Sequence, residues 1–215
     1  MNNRILSELL NEPNAHFLLL EVEAILNTEK EKRIQFHNNI LKEEKVEFIN
    51  GEIVVHSPVK KRHNTASGLL YRLISIFAGK NDLGFVGIEK IMITLTRNDY
   101  EPDICFFKKE KSQHFTEDQI LFPAPDLVIE ILSDSTEDRD RGVKFKDYQA
   151  HKIQEYWIID PEKQTLEQYN LNGNAYDLIL KSSEGSVKSF VIDGFQIPVR
   201  AIFDEAENLK AIGGF

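Results

Sequence analysis

The chain has 215 residues, 41% of them hydrophobic and 28% charged, with 35 acidic against 26 basic side chains and a formal net charge of -9 at pH 7. These values describe one globular domain of ordinary size and disfavour collagen-like, disordered and membrane-spanning classes. The acidic excess argues against a protein that coats nucleic acid through a basic surface, while leaving room for a local basic groove.

The first eight residues lack the apolar core and small-residue cleavage site of a secretory signal, so a cytoplasmic location is expected. Ile5, Leu6, Leu9 and Leu10 recur at helical spacing, and Phe17, Leu20, Val22, Ile25 and Leu26 do so again beyond Pro13, which predicts two short helices. Thr28 with Glu31 three residues on is a capping-box pattern, predicting a further helix through Ile34, Ile40 and Leu41. Residues 1–44 are therefore expected as an N-terminal helical extension and residues 45–215 as the main domain. Asn50-Gly51 between apolar runs predicts a hairpin over residues 46–55 with a type I′ turn. Lys60, Lys61 and Arg62 form a dense basic run, read first as a solvated helix start and second as a patch that tracks phosphates. The helix behind it has the apolar face Leu69, Leu70, Leu73, Ile74 and Phe77.

Residues 85–95 read as one strand, Arg97-Asn98-Asp99 as a turn, and residues 104–107 as the returning antiparallel strand. That strand holds Cys105, and a single cysteine excludes a disulfide framework and a cysteine-rich zinc cluster. Residues 108–120 are polar without a period and predict an exposed loop. Residues 127–132 are apolar on both parities except at Glu130, the pattern of a strand buried on both faces. A charged turn and helix lead from it to the strand at Tyr156, Trp157, Ile158 and Ile159, a strand–helix–strand unit that makes the fold α/β. Asn172-Gly173 then sits between alternating runs, predicting an antiparallel C-terminal extension, and a last helix is expected near residues 204–209.

Glu130 places an ionisable group inside a sheet, where desolvation demands a partner. Asp103 enters a neighbouring apolar strand after Pro102, and two such carboxylates suit a hard cation, which asks for one or two of them and keeps several waters. A carbonyl near Ile131 would add a third oxygen. Lys144 would complement a phosphate or assist an attacking water. Asp140, Lys144 and Tyr148 fall at successive i, i+4 positions and share a helix face. The bland reading is a strand-capping Asp103 and a buried Glu130–Lys144 ion pair that binds nothing.

Pro102-Asp103, the run Pro125-Asp126-Leu127-Val128-Ile129-Glu130-Ile131-Leu132-Ser133, the trio Asp140, Lys144 and Tyr148, and Glu155-Tyr156-Trp157-Ile158-Ile159-Asp160 together resemble the Uma-type family of restriction endonucleases. That family lies within the PD-(D/E)XK nuclease superfamily, and the resemblance spans roughly residues 47–199, including Asn50-Gly51-Glu52 and His63. It implies a restriction endonuclease-like mixed β-sheet core flanked by helices. It also implies Mg2+, or Mn2+, held by Asp103 and Glu130, with Glu89 as a further ligand and Asp103, Glu130 and Lys144 as the catalytic set. The position two after Glu130, a lysine in the plain superfamily pattern, is Leu132 here, so the resemblance assigns the lysine role to Lys144 on the following helix. The implied activity is metal-dependent hydrolysis of phosphodiester bonds in DNA by a homodimer. The alternative is a catalytically silent nuclease fold that binds a nucleic acid or a protein, and Glu52 and His63 are read as structural or substrate-facing.

Overall fold

Pro13 cannot continue a helix, and it follows the first one, α1 (Asn3–Asn11), while the next, α2 (Ala15–Asn39), runs for 25 residues without a break. The computed structural model describes residues 3–39 and 45–215. The expected helix start at Thr28 is absent: Thr28 lies inside α2, where no glycine or proline interrupts the helix, and its hydroxyl donates to Ala24 O at 3.0 Å. Ile40 and Leu41 lie outside the described residues.

The chain divides into two units, Met1–His56 with Thr96–Tyr100, and Ser57–Leu95 with Glu101–Phe215. In the first, β1 (Val46–Ile49) and β2 (Glu52–Val55) form the expected antiparallel hairpin. Its turn carries Asn50 at φ 51° and Gly51 at φ 83°, the left-handed pair that a type I′ turn requires. The second half of α2 is anchored in the same unit, with Phe36 packed on Phe48 at a ring separation of 5.7 Å. Arg33 also forks onto the buried Asp99 carboxylate at 2.6 and 2.7 Å.

The second unit opens with α3 (Lys61–Lys80), which buries Leu69, Leu70, Leu73 and Ile74. Strands β3 (Gly84–Ile88), β4 (Met92–Thr94), β5 (Asp99–Tyr100) and β6 (Ile104–Lys108) follow, then a short helix α4 (Lys109–Ser112) and β7 (Leu121–Phe122). Of these, β5 belongs to the first unit, where Asp99 pairs with Phe48. The single strand expected over residues 85–95 is split in two. Glu89 takes a positive φ of 55°, and the Ile91 N–H closes a tight reversal onto Glu89 O at 2.8 Å. As a result β3 pairs antiparallel with β6, as expected, whereas β4 pairs in parallel with β7. The expected turn at residues 97–99 is likewise shortened, because Asp99 already begins β5. The segment 108–120 is more ordered than its composition suggests: Phe115 packs edge-on against Phe107 at 5.0 Å and Phe122 at 5.2 Å.

Next come β8 (Leu127–Ile131), α5 (Glu137–Arg139), a π turn at Asp140–Lys144, α6 (Phe145–Ala150) and β9 (Glu155–Asp160). All of β8 and β9 is buried, and the two strands run parallel, as the two-parity apolar pattern and the helical crossover demand. The hairpin β10 (Thr165–Asn172) and β11 (Ala175–Ser182) extends the sheet to the order β11-β10-β9-β8-β6-β3. A smaller pair, β12 (Ser186–Lys188) and β13 (Gln196–Pro198), precedes a 3-10 turn and α7 (Glu205–Ile212), which Asp204 caps by accepting the Glu207 N–H.

Leu70, Leu73 and Ile74 of α3 pack on Ile104, Ile129 and Trp157 from one face of this sheet. Each such buried side chain contributes about 1.5–3 kcal/mol. Strand alternation sends Glu130 and Tyr156 to the opposite face, which the crossover helix covers; there Tyr148 lies edge-on to Tyr156 at 5.2 Å.

Candidate active site

Strand register aligns the predicted acids. Ile104 on β6 faces Ile129 on β8, so continuing that antiparallel register by one residue sets Asp103 opposite Glu130. Ile88 on β3 faces Ile104, and the next step sets Glu89 opposite Asp103, where the Glu89 N–H donates to Asp103 O at 3.0 Å. Asp103 and Glu89 thus lie one residue beyond the paired ladders, each at the end of the strand next to its predicted partner. Their side chains part company: Glu89 is exposed at its reversal, whereas Asp103 and Glu130 are buried. Among the described residues, no group of three or more His, Cys, Asp or Glu side chains gathers closely enough to hold a metal ion.

Asp103 Oδ2 accepts the Ile131 N–H at 2.8 Å, and His63 Nε2, at the start of α3, stands 3.3 Å from the same oxygen. At Ile131 it is therefore the N–H that meets Asp103. On the other acid, Glu130 Oε1 accepts from the Tyr148 hydroxyl at 2.7 Å and from Lys144 Nζ at 3.1 Å. Lys144 Nζ also lies 3.3 Å from Asp140 Oδ1. All three charged groups are buried, so the Asp140–Lys144 pair is an interior one and not the exposed salt bridge that its i, i+4 spacing alone would suggest.

The π turn is the local reason. It widens the helix at Asp140–Lys144, and both ends of that turn are buried, with Gly142 between them. The Tyr156 hydroxyl donates to Asp140 O at 3.1 Å, which ties the widened turn to β9. Arg141, the next residue, forks onto Glu167 of β10 with two bonds of 2.9 Å. Tyr169 donates to Glu167 as well, and Lys181 stands 3.2 Å away.

Burial by itself would raise the Glu167 carboxyl, but Arg141, Tyr169 and Lys181 outweigh it and hold the group down at about 2. A glutamate in the unfolded chain binds its proton first as the pH falls. The stabilisation from Glu167 is therefore complete above about pH 4.5, the ordinary glutamate value, and is lost as the pH drops toward about 2. Thermal melts across that window should show a steep acid limb in the wild type and a flatter one in Glu167→Gln; parallel limbs would refute the role given to this carboxylate.

A cleft of about 250 Å³ opens beside the site, lined by His63, Leu132 and Ser133 and by charged groups from three loops. His63, which stands 3.3 Å from Asp103, lines it, and Asp103, Glu130 and Lys144 do not. The basic run sits at this cleft, with Lys60 bonded to Asp134 at 2.7 Å and Arg62 to Glu162 at 2.9 Å. Glu52, in the first unit, is exposed on β2 with Lys32 3.9 Å away. The Cys105 thiol is fully buried, which pushes its pKa well above the usual thiol range and makes it unreactive.

Sequence reasoning missed Glu155 as anything beyond part of a run of residues. It is fully buried at the start of β9 and accepts five hydrogen bonds, from Trp157 Nε1, Gln168 Nε2, Ser189 Oγ and the N–H groups of Phe190 and Val191. Burial still pushes its carboxyl above the ordinary range against those donors. The available signal was an acid opening a two-sided apolar strand, the same signal that singled out Glu130.

A family model described as "Uma2: Putative restriction endonuclease" matches residues 34–200. The chain belongs to the Uma2 family. Every group of the site lies inside the Uma2 match. The chain is 32% identical over 179 residues to "Uncharacterized protein slr1290" of Synechocystis sp. (strain ATCC 27184 / PCC 6803 / Kazusa), covering 79% of this chain and 84% of that protein. A second protein of the same organism, "Uncharacterized protein sll1609", is 31% identical over 134 residues, covering 61% of this chain and 75% of its own length. The crystal structure of "a putative nuclease belonging to DUF820" from Anabaena variabilis ATCC 29413 superimposes with a TM-score of 0.66 at 19% identity, covering 80% of this chain and 97% of that one. That likeness establishes the shared fold, a mixed sheet flanked by helices. Among the described residues, no helix is long and apolar enough to cross a membrane.

Proposed function

We propose that this Uma2 protein is a magnesium-dependent endonuclease that hydrolyses phosphodiester bonds in DNA. The observation that carries the reading is the register of Asp103 opposite Glu130 with Lys144 Nζ 3.1 Å from the latter. Asp103 and Glu130 would hold the cation, an oxygen donor set that fits magnesium, and Mn2+ is an acceptable substitute. Once bound, magnesium supplies Lewis-acid compensation for the charge that builds on a scissile phosphate. His63 and the Ile131 N–H orient Asp103, while Tyr148 orients Glu130. Lys144 Nζ holds a proton next to Glu130 and serves to position the attacking water or pair with the phosphate. The family description supports a nuclease, and the paired cations at the cleft, Lys60 and Arg62, would exchange acidic side chains for phosphates.

A second reading, a silent nuclease fold that binds nucleic acid or protein, is favoured by the closure of Glu130 and Lys144 on each other, at 4% and 2% side-chain exposure. One experiment separates the two. Wild-type protein should nick supercoiled plasmid with Mg2+ and not with a chelator, and should melt at a higher temperature with Mg2+. Asp103→Asn should lose both responses, with at least a roughly 100-fold fall in cleavage. Plasmid retarded in a gel by the wild type yet left uncut under every divalent ion would sink the enzyme and support the binder.

A further inference from the structure

The cleft beside His63 lies wholly within the second unit, where three loops wall it: the start of α3, the turn after β8 and the turn after β9. Part of its lining is apolar, with Pro58, Val59 and Pro161, and part carries the hydroxyls of Ser133 and Ser135, which stand 3.2 Å apart. Lys60 and Arg62 each reach from α3 to an acid on another loop, Asp134 and Glu162. Both pairs are open to water, with side-chain exposures of 59% and 74% in the first and 41% and 66% in the second, and exposed ion pairs are worth little. The other acids of the lining are committed elsewhere: Asp160 accepts the Glu162 and Lys163 N–H groups within its own turn, and Glu137 takes Arg141.

From this lining we infer that the cleft holds one unpaired nucleotide of a DNA strand, its base against Pro58, Val59 and Pro161 and its phosphates on Lys60 and Arg62, where Asp134 and Glu162 now stand. The inference rests on the DNA substrate proposed above and deepens it, from DNA at large to a single strand. Size argues for it. A duplex is read over roughly 1,000 Å² of protein surface or more. A cleft of about 250 Å³ lies below the roughly 300 Å³ at which pockets for small ligands begin, and it admits one base. The lining also suits a nucleotide, because single strands are held by an apolar plate under the base and cations along the backbone. With a net charge of -9, binding depends on a local exchange of carboxylate for phosphate rather than on bulk attraction. The position fits the chemistry. His63 lines the cleft 3.3 Å from Asp103, and Leu132, which also lines it, follows the Ile131 whose N–H Asp103 accepts. A strand seated there carries its next phosphodiester toward Asp103.

Fluorescence anisotropy on the full chain tests it, with labelled oligothymidylate and its duplex with oligodeoxyadenylate, in a chelator that keeps the strands whole. The wild type should bind the single strand at least about tenfold more tightly than the duplex. Lys60→Gln with Arg62→Gln should lower the slope of log affinity against log salt by about 1.4, two phosphate contacts at about 0.7 each. Asp134→Asn with Glu162→Gln should tighten strand binding about fivefold more than the same charge change at Glu117 and Glu184, which do not line the cleft. If the variant without the two cations loses its fold, Val59→Asp, at a half-exposed position, keeps both and should weaken strand binding at least about tenfold. Equal affinity for strand and duplex, an unchanged salt slope, a silent Val59→Asp, or acid variants that match their control overturn the inference. Strand binding with these signatures and no cleavage under any divalent ion keeps it and removes the nuclease. Plasmid cleavage that no cleft variant alters removes it and keeps the nuclease.

Discussion

Replacing Lys144 with methionine is expected to cost the native state about 3–5 kcal/mol, because removing one member of a buried ion pair strands its partners. In Tm this is a fall of about 10 °C for a chain of this size. Methionine keeps the length and the apolar stem, so the loss is electrostatic. Glu130 and Asp140, 3.1 and 3.3 Å from the departed amine, are left as two buried carboxylates without their common cation. Adding Asp140→Asn and Glu130→Gln to Lys144→Met should recover most of the loss. Urea unfolding followed by Trp157 fluorescence measures each step. If Lys144→Met alone lies within about 1 kcal/mol of wild type, the interior triad does not hold the crossover helix on the sheet.

The second large effect is expected at Glu155. Glu155→Ala removes an acceptor from five donors, three of them 2.7 Å from the lost carboxylate oxygens; Gln168 Nε2 keeps Lys188 O at 2.7 Å and the Val191 N–H keeps Ser189 Oγ at 3.2 Å. A buried donor without an acceptor costs about 1–3 kcal/mol. With partial relaxation we expect a total of about 4 kcal/mol, at the upper end of single-site effects. Glu155→Gln keeps one acceptor oxygen but turns an amide donor toward other donors, so it should fall between alanine and wild type. The bond to Trp157 Nε1 adds an optical check, since Trp157 is the chain's one tryptophan and its emission should shift in both variants. Equal stability of Glu155→Ala and wild type would show that water replaces the carboxylate.

Several parts of this protein were legible without coordinates because they rest on local physics. Asn50-Gly51 specifies its turn through backbone angles that few other residues tolerate. Apolar residues on both parities around Glu130 matched a two-sided strand, and the helical crossover after it matched a parallel return to β9. Thr28 misled because a capping pattern is a statement about four residues, and the absence of any breaker across α2 overrode it. Glu89 was hidden for a related reason: a positive φ at glutamate has no composition signal, yet it ends β3 and sends β4 to a different partner.

By itself the sequence determined the α/β class, the central strand with an ionisable group inside it at Glu130, and the shared face of Asp140, Lys144 and Tyr148. Each follows from periodicity, or from the cost of burying a charge, and both act over a few residues. Tertiary structure alone decided the register that sets Asp103 against Glu130, His63 as a neighbour of Asp103, the π turn that buries Lys144, and the five-donor pocket of Glu155. These depend on strand register and on which helix covers which face, relations between residues up to 40 apart in the chain that no local pattern encodes.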